Sequence, residues 1–347
     1  MGAHMSGSTS IFSRLLRYLL VLALTVAALG LGAQQLVKAL ANAELQLQAG
    51  QTLATVVVEP RATARQVARD ITQAGVNVPE WALYAWFRWS GQSRQIQAGT
   101  YEFAPPISAQ GVLNKLVRGE QATARVTLIE GWTFAQVRQA LRDAPDLKPT
   151  TAGWSEAQIM AALQMPGVHP EGRFFPDTYI YPKNSDDLAV FRQAALAMQR
   201  KLRAAWGQHN NRTALESAEE LLILASMIEK ETQQSADRAM VSAVFHNRLR
   251  IGMRLQSDPT IIYGLGDAFD GDLKRVHLRT DGPYNSYTRR GLPPTPIAMP
   301  SAASLAAAAM PAETKALYFV GKGDGSSHFS DTLREHNGAV RRYILKR

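Results

Sequence analysis

Two kinds of hydrophobic pattern divide the chain. Residues 18–37, YLLVLALTVAALGLGAQQLV, run for twenty positions without a charge. A helix of that length spans a hydrocarbon core of roughly 30 Å. From residue 53 the pattern shortens: LATVVVE reads as a strand, and Ala64, Val67, Ala68 and Ile71 then recur at helical spacing up to Gly75. A second helix is predicted over 79–89, QAGTYEF alternates as a strand does, and Ser108 caps a helix that ends at Gly119. Small α/β units of this kind bury a sheet against two or three helices.

The strand ATARVTLIE, near 122–130, leads through Gly131, Trp132 and Thr133 into a helix reaching about Arg142. Residues 143–168 are rich in Pro, Ala, Gly and Thr and read as connecting structure with one helix near 155–163. An aromatic, proline-containing segment opens at Glu171, and long helices are predicted over 187–206, 215–232 and 236–250. The tail holds the loop GLPPTPIAMP, a helix from Ser301, the strands LYFV and HFS about a glycine turn, and a final helix. No solenoid period is present.

The helix ending at 232 differs from the others. Its sequence over 221–232, LLILASMIEKET, is too apolar for a surface helix and runs directly into Glu229 and Glu231. Burial disfavours an ionised carboxyl and raises its pKa, which suits a proton donor near neutral pH. Two positions apart on a helix, the side chains point about 200° from one another and cannot form a paired dyad. Glu229 shares its face with Leu222, Ala225 and Ser226, and Glu231 with Leu224, Met227 and Ile228, so periodicity does not choose between them. A solvated helix end, with Lys230 as neutralising partner, is the equally weighted alternative. Two further polar clusters follow: RLQSDPT at 254–260, read as a turn between helices, and YNSYT at 284–288. Together they offer carboxyls, amides, phenols and hydroxyls, the inventory of a carbohydrate site.

Composition narrows this. At 347 residues and 46% hydrophobic, the chain suffices for two or more domains. It has no cysteine, which excludes disulfides and thiolate chemistry. The net charge of +9 is scattered, without a basic run, and fits anionic lipid or an anionic wall polymer better than nucleic acid. MGAHM reads as a cloning remnant ahead of Met5, so His4 carries no weight. Arg14 and Arg17 before the apolar run, with only Lys38 just after it, favour a cytoplasmic N-terminus. A cleavable signal peptide is the other reading, since Ala28-Leu29-Gly30 and Ala41-Asn42-Ala43 have the small-x-small form; the length of the run favours an uncleaved anchor. The histidines show no HExxH or HxH spacing, so neither metal nor cofactor is predicted. Residues 321–325, GKGDG, lack the phosphate-loop spacing, and Ser226 does not lie in GxSxG.

Five segments carry a resemblance: EGRFFPDTY at 171–179, LASMIEKET at 224–232, FHNRLRIGMRLQSDPTIIYGLG at 245–266, YNSYTRRGLPPTPIAMP at 284–300 and LYFVGKGDGSSHFS at 317–330. In order and spacing the chain resembles the endolytic murein transglycosylase family, also called YceG-like, over nearly its whole length from residue 11. The resemblance implies an α+β architecture: a transmembrane anchor (11–40) behind a tag and cytoplasmic tail (1–10), a LysM-like region (50–120), a connecting α/β segment (121–170) and a helix-rich catalytic domain (171–347). It implies Glu229 as catalytic acid, cleavage of nascent peptidoglycan glycan and a 1,6-anhydro-N-acetylmuramic acid product. Glu231, Asn247, Gln256, Asp258, Tyr284, Asn285, Tyr287 and Thr288 follow as substrate-binding candidates from their places in the motifs. It implies an inner-membrane, single-pass protein with a periplasmic catalytic domain, and peptidoglycan synthases as further partners. One departure is Thr295, where a glycine commonly follows GLPP. Two rivals remain: a muramidase-type hydrolase using Asp258 as second carboxylate, and a non-catalytic wall-binding scaffold.

Overall fold

The computed structural model describes residues 8–232 and 234–345. The first seven residues, with most of the tag-like tail predicted there, lie outside them. The described chain is a mixture of helices and short strands behind an apolar N-terminal helix, in keeping with the α+β expectation, and it divides into two compact units, residues 1–123 and 124–347.

The first unit opens with α1 (Ser8–Asn42), whose stretch Arg14–Asn42 is long and apolar enough to cross a membrane. A two-residue strand β1 (Glu44–Leu45) pairs with β4 (Ile107–Ser108), and β2 (Ala54–Val58) pairs antiparallel with β3 (Gly99–Phe103). The alternation in β2 turns Ala54, Val56 and Val58 inward. Against this two-stranded sheet pack α2 (Ala64–Gln73), α3 (Glu80–Trp89) and α4 (Ala109–Arg118), the first two lying between its strands in the chain. Their ends follow the sequence. Thr63 accepts from Gln66 N–H in a capping box, Ser108 Oγ accepts from Gly111 N–H, and Gly119 closes α4 in the left-handed region at φ 66°. Leu83, Phe87, Tyr101, Phe103, Leu113 and Leu116 fill the core.

In the second unit β5 (Thr123–Thr127) pairs with β7 (Thr178–Pro182), and β6 (Leu147–Lys148) pairs with β8 (Ser185–Asp186). Thr133 and Ser155 cap α5 (Phe134–Arg142) and α6 (Glu156–Ala162), each through a capping box. One core, built on Phe134, Phe174 and Phe191, lies under these elements and α7 (Asp187–Gly207); the three rings stand 5.2 to 6.0 Å apart. A second core surrounds α8 (Ala218–Glu231), whose residues 221–228 are all buried, and packs it on α9 (Ser235–Arg250), α10 (Asp258–Leu265) and α12 (Ala302–Ala309). The short α11 (Arg275–Arg279), the hairpin β9 (Tyr318–Gly321) and β10 (Ser327–Ser330), and α13 (Leu333–Tyr343) complete it.

One local expectation changes. Residues 254–260 are not all turn, because Asp258, Pro259 and Thr260 already form the first turn of α10. Proline is favoured there, where its missing N–H costs nothing and its φ is preset. His246 is a core residue: Nδ1 accepts from Ala214 N–H at 2.9 Å, Nε2 meets Ala308 O at 2.9 Å, and burial lowers its pKa to about 4.

Candidate active site

The site is organised by the end of α8. Ser217 Oγ accepts from Glu220 N–H at 3.2 Å to start the helix, and Thr232 leaves it in extended geometry. Between them the apolar run is held on every side, which fixes the three charged residues of the last turn in space. Glu229 Oε2 accepts from Ser301 N–H at 2.9 Å and from Ser301 Oγ at 2.5 Å. Ser301 is the N-cap of α12, so this carboxylate faces the positive end of a helix dipole. Glu231 Oε1 accepts from Ser257 Oγ instead. The two carboxyls therefore serve different elements, as their angular separation on the helix demands. Lys230, considered as their neutralising partner, donates its Nζ to Gly131 O at 3.2 Å.

Around Glu231 the second and third polar clusters meet. Ser257 N–H donates to Ser286 Oγ at 2.9 Å, Thr260 Oγ1 lies 2.8 Å from the same hydroxyl, and Gln256 N–H donates to Ser286 O at 3.1 Å. The backbone of Gln256 sits at φ 47°, which turns the chain into this contact. Tyr287 donates its hydroxyl to Asp258 Oδ1 at 2.6 Å. Asn285, 5% exposed, spends its side-chain amide on His277 O and Thr280 O and its carbonyl on Tyr287 N–H. Thr288 Oγ1 donates to Asp281 Oδ1 at 2.8 Å. Asp258, Tyr287, Asn285 and Thr288 thus belong to one braced loop pair joined to Glu231 through Ser257. Asn247 stands apart, with its amide donating to Thr314 O and Ala316 O, both at 2.9 Å. Desolvation pushes the Glu231 carboxyl up to about 7, reinforced by the charge of Asp258 and opposed by the Ser257 hydroxyl and the buried Arg248.

A model of the YceG-like family matches residues 56–342. The chain belongs to the YceG-like family. It is 29% identical over 317 residues to the endolytic murein transglycosylase of Bacillus subtilis, covering 84% of this chain and 85% of that protein. It is 24% identical over 323 residues to the endolytic murein transglycosylase of Streptococcus pneumoniae D39, of whose length the match spans 58%. The crystal structure of a YceG-like protein from Listeria monocytogenes superposes with a TM-score of 0.53 at 26% identity, over 83% of this chain and 98% of that one.

This YceG-like chain holds a further buried acid that sequence reasoning did not single out. Glu171, 3% exposed, accepts from Phe134 N–H at 3.0 and 3.2 Å and from the Tyr263 hydroxyl at 3.1 Å. Desolvation pushes it up to about 7 against those hydrogen bonds. With Lys230, Gln136, His169 and Tyr263 it lines a cavity of about 650 Å³. Its neighbour Gly172 has φ 78°, and a Cβ there would come within 2.6 Å of Pro296, so the pair Glu171-Gly172 turns the acid inward while the backbone packs on the proline loop. The one signal in the sequence was an acid placed directly before that glycine and the aromatic run.

Tyr284 reaches the same acid indirectly: its ring packs edge-on to Tyr263 at 4.9 Å, and its hydroxyl lies 2.7 Å from Thr295 Oγ1. Thr295, the departure from the family pattern, does not adopt positive φ and is accommodated without a glycine. Among the described residues no group of three or more His, Asp or Glu side chains converges as a metal site would require.

Proposed function

We propose that this chain is an endolytic murein transglycosylase in which Glu229 alone supplies the acid and the base. The observation that carries the assignment is the socket of Glu229, a carboxyl at the end of a buried helix whose Oε2 is held by two donors at the start of α12. The names of the Bacillus and Streptococcus relatives support the reaction.

Protonated Glu229 gives its proton to the glycosidic oxygen between N-acetylmuramic acid and N-acetylglucosamine as the bond from muramic C1 to that oxygen breaks. The muramic C6 hydroxyl then attacks C1, and its proton passes to the Glu229 carboxylate. A 1,6-anhydro ring forms, the leaving sugar departs with a free hydroxyl, and Glu229 is again protonated. No water is consumed, so no second carboxylate is needed to activate one, and attack from within the substrate gains from proximity. Ser301 N–H and Oγ stabilise the carboxylate that exists between the two transfers. Glu231, through Ser257, holds the loops that carry Asp258, Tyr284 and Tyr287 against the sugar.

In the same reading α1 anchors the chain in the inner membrane with the catalytic unit on the periplasmic side, and residues 50–120 form a LysM-like spacer that also meets glycan. Peptidoglycan synthases are the corresponding partners, because strands must be reached while they are being made. Mass spectrometry of glycan digested by the full chain is the test. Anhydro ends are expected. Ordinary reducing ends would favour the muramidase reading, and undiminished activity in Glu229→Gln would remove the assignment of Glu229.

A further inference from the structure

We propose that the first unit contains a lipid site, in which an apolar groove between the end of α1 and α3 receives an acyl chain of an anionic phospholipid. The inference rests on the membrane-anchor part of the reading above and is independent of the chemistry at Glu229. The groove has a volume of about 350 Å³ and runs from Val37, Leu40 and Ala41 of α1 to Trp81, Trp86 and Trp89 of α3. Three of its lining residues, Val37, Leu40 and Ala41, belong to the end of α1, so whatever surrounds that helix also reaches the mouth of the groove.

The exposed rings point to the same environment. Trp81 is 74% exposed and Trp89 48%, and Trp89 stacks on the buried Trp86 at 5.2 Å. Large aromatic rings at the end of a membrane helix occupy the interface between headgroups and acyl chains. Trp86 Nε1 is buried without a hydrogen-bond partner, a donor that a lipid ester carbonyl can satisfy when the Trp89 ring turns aside. No hydroxyl, carboxylate or amide side chain lines the groove, so a sugar placed there would leave its own hydroxyls unpaired.

Charge selects the lipid. At 100° per residue, Tyr84 and Arg88 occupy the arc of α3 adjoining Trp81, and they line a polar recess together with Arg61, Arg65 and Arg94. The Arg65 guanidinium lies 4.8 Å from the centre of the Tyr84 ring. Four guanidinium groups against the single carboxylate of Glu59 leave the recess net positive, and beside an apolar groove that matches a phosphate headgroup beside its acyl chain.

The test uses the full chain in vesicles of dioleoylphosphatidylglycerol or dioleoylphosphatidylcholine, with and without bromine on the acyl chains, read by tryptophan emission. The chain has six tryptophans, three of them in α3 and none in α1, so quenching reports the folded units. Acyl-chain bromine is expected to quench the emission, more strongly in phosphatidylglycerol. Ala85→Phe, which fills the groove from an exposed position and keeps every tryptophan, is expected to lose most of that quenching while still floating with the vesicles. Arg65→Gln/Arg88→Gln is expected to lose the preference for phosphatidylglycerol. Flotation with no quenching by acyl-chain bromine, or quenching unchanged in Ala85→Phe, overturns the site while leaving the anchor intact. Equal quenching in both lipids overturns the anionic selection. Failure to float overturns the anchor and the site together, and glycan cleavage measured on the same sample reports separately on the catalytic reading.

Discussion

Glu229 and Glu231 leave the same turn of α8 and are received in different ways. Glu229 meets the first turn of α12, where a backbone N–H and a hydroxyl both donate to one oxygen. Glu231 meets a single hydroxyl, Ser257, which is 1% exposed and tied in turn to Ser286. The first socket offers two donors to one carboxyl oxygen at the start of a helix. The second is desolvated, which favours the neutral acid and pushes its pKa up to about 7. A raised pKa therefore reports enclosure, and Glu171 at about 7 makes the same point from a separate socket. The group able to release a proton and take one back is the one whose charged state has prepared donors.

The largest effect that can break this comparison is at Glu229. Glu229→Gln and Glu229→Ala should both lower release of anhydro-muropeptides by roughly 10²–10⁴-fold, the usual range for loss of a general acid. The amide keeps the shape but carries no transferable proton, so the two variants should be about equally inactive. At Glu231 they should differ. Glu231→Ala leaves the buried Ser257 hydroxyl without its acceptor, which should cost on the order of 1–3 kcal/mol of stability in a thermal melt and slow cleavage by roughly tenfold as the loops loosen. Glu231→Gln retains an acceptor and should keep near wild-type cleavage. Equal inactivity of both Glu231 variants, with active Glu229→Gln, would exchange the two roles.

Much of the helical frame was legible. The apolar runs predicted helices over 187–206 and 236–250, and they occur at Asp187–Gly207 and Ser235–Arg250, since period and caps are local properties of the chain. The polar clusters could be located too, because charged and amide residues gathered at helix ends are visible without tertiary structure. Their partners were not. Ser301 lies 72 positions from Glu229, and Tyr263 lies 92 from Glu171. Glu171 is buried because Phe134 and Tyr263 close over it, which no window of sequence around residue 171 contains. Asp258 and Pro259 did carry a local signal, proline in a first helical turn, that a turn assignment passed over.

The next effect sharpens the contrast through pH. The folded pKa of Glu231, about 7, lies above its ordinary value of 4.5, so the folded state keeps a proton that the unfolded chain releases. Its contribution to stability is fully present below about pH 4.5 and is lost as pH rises toward 7. Glu231→Gln, which has no proton to lose, should gain stability relative to wild type across that window, on the order of 3 kcal/mol by pH 8. Glu171→Gln should follow the same direction. The comparison must be made between variants, because buried His246, lowered to about 4, contributes the opposite slope on acidification. Parallel melting curves for wild type and Glu231→Gln from pH 5 to 8 would contradict the enclosure of Glu231.

The smallest effect concerns the Glu229 socket alone. Ser301 Oγ donates to Glu229 and also accepts from Ser304 N–H at 3.1 Å, so one hydroxyl caps α12 and holds the acid. Ser301→Ala removes both bonds but leaves the Ser301 N–H on Oε2. The cap should cost about 1 kcal/mol of stability. Activity should fall by several-fold, far less than in Glu229→Gln, because the remaining N–H and the helix dipole still support the carboxylate. Ser301→Thr keeps the hydroxyl and should restore both. If Ser301→Ala lost stability while kcat stayed at the wild-type value, the hydroxyl would serve the helix only, and the contrast between the sockets would rest on the backbone N–H.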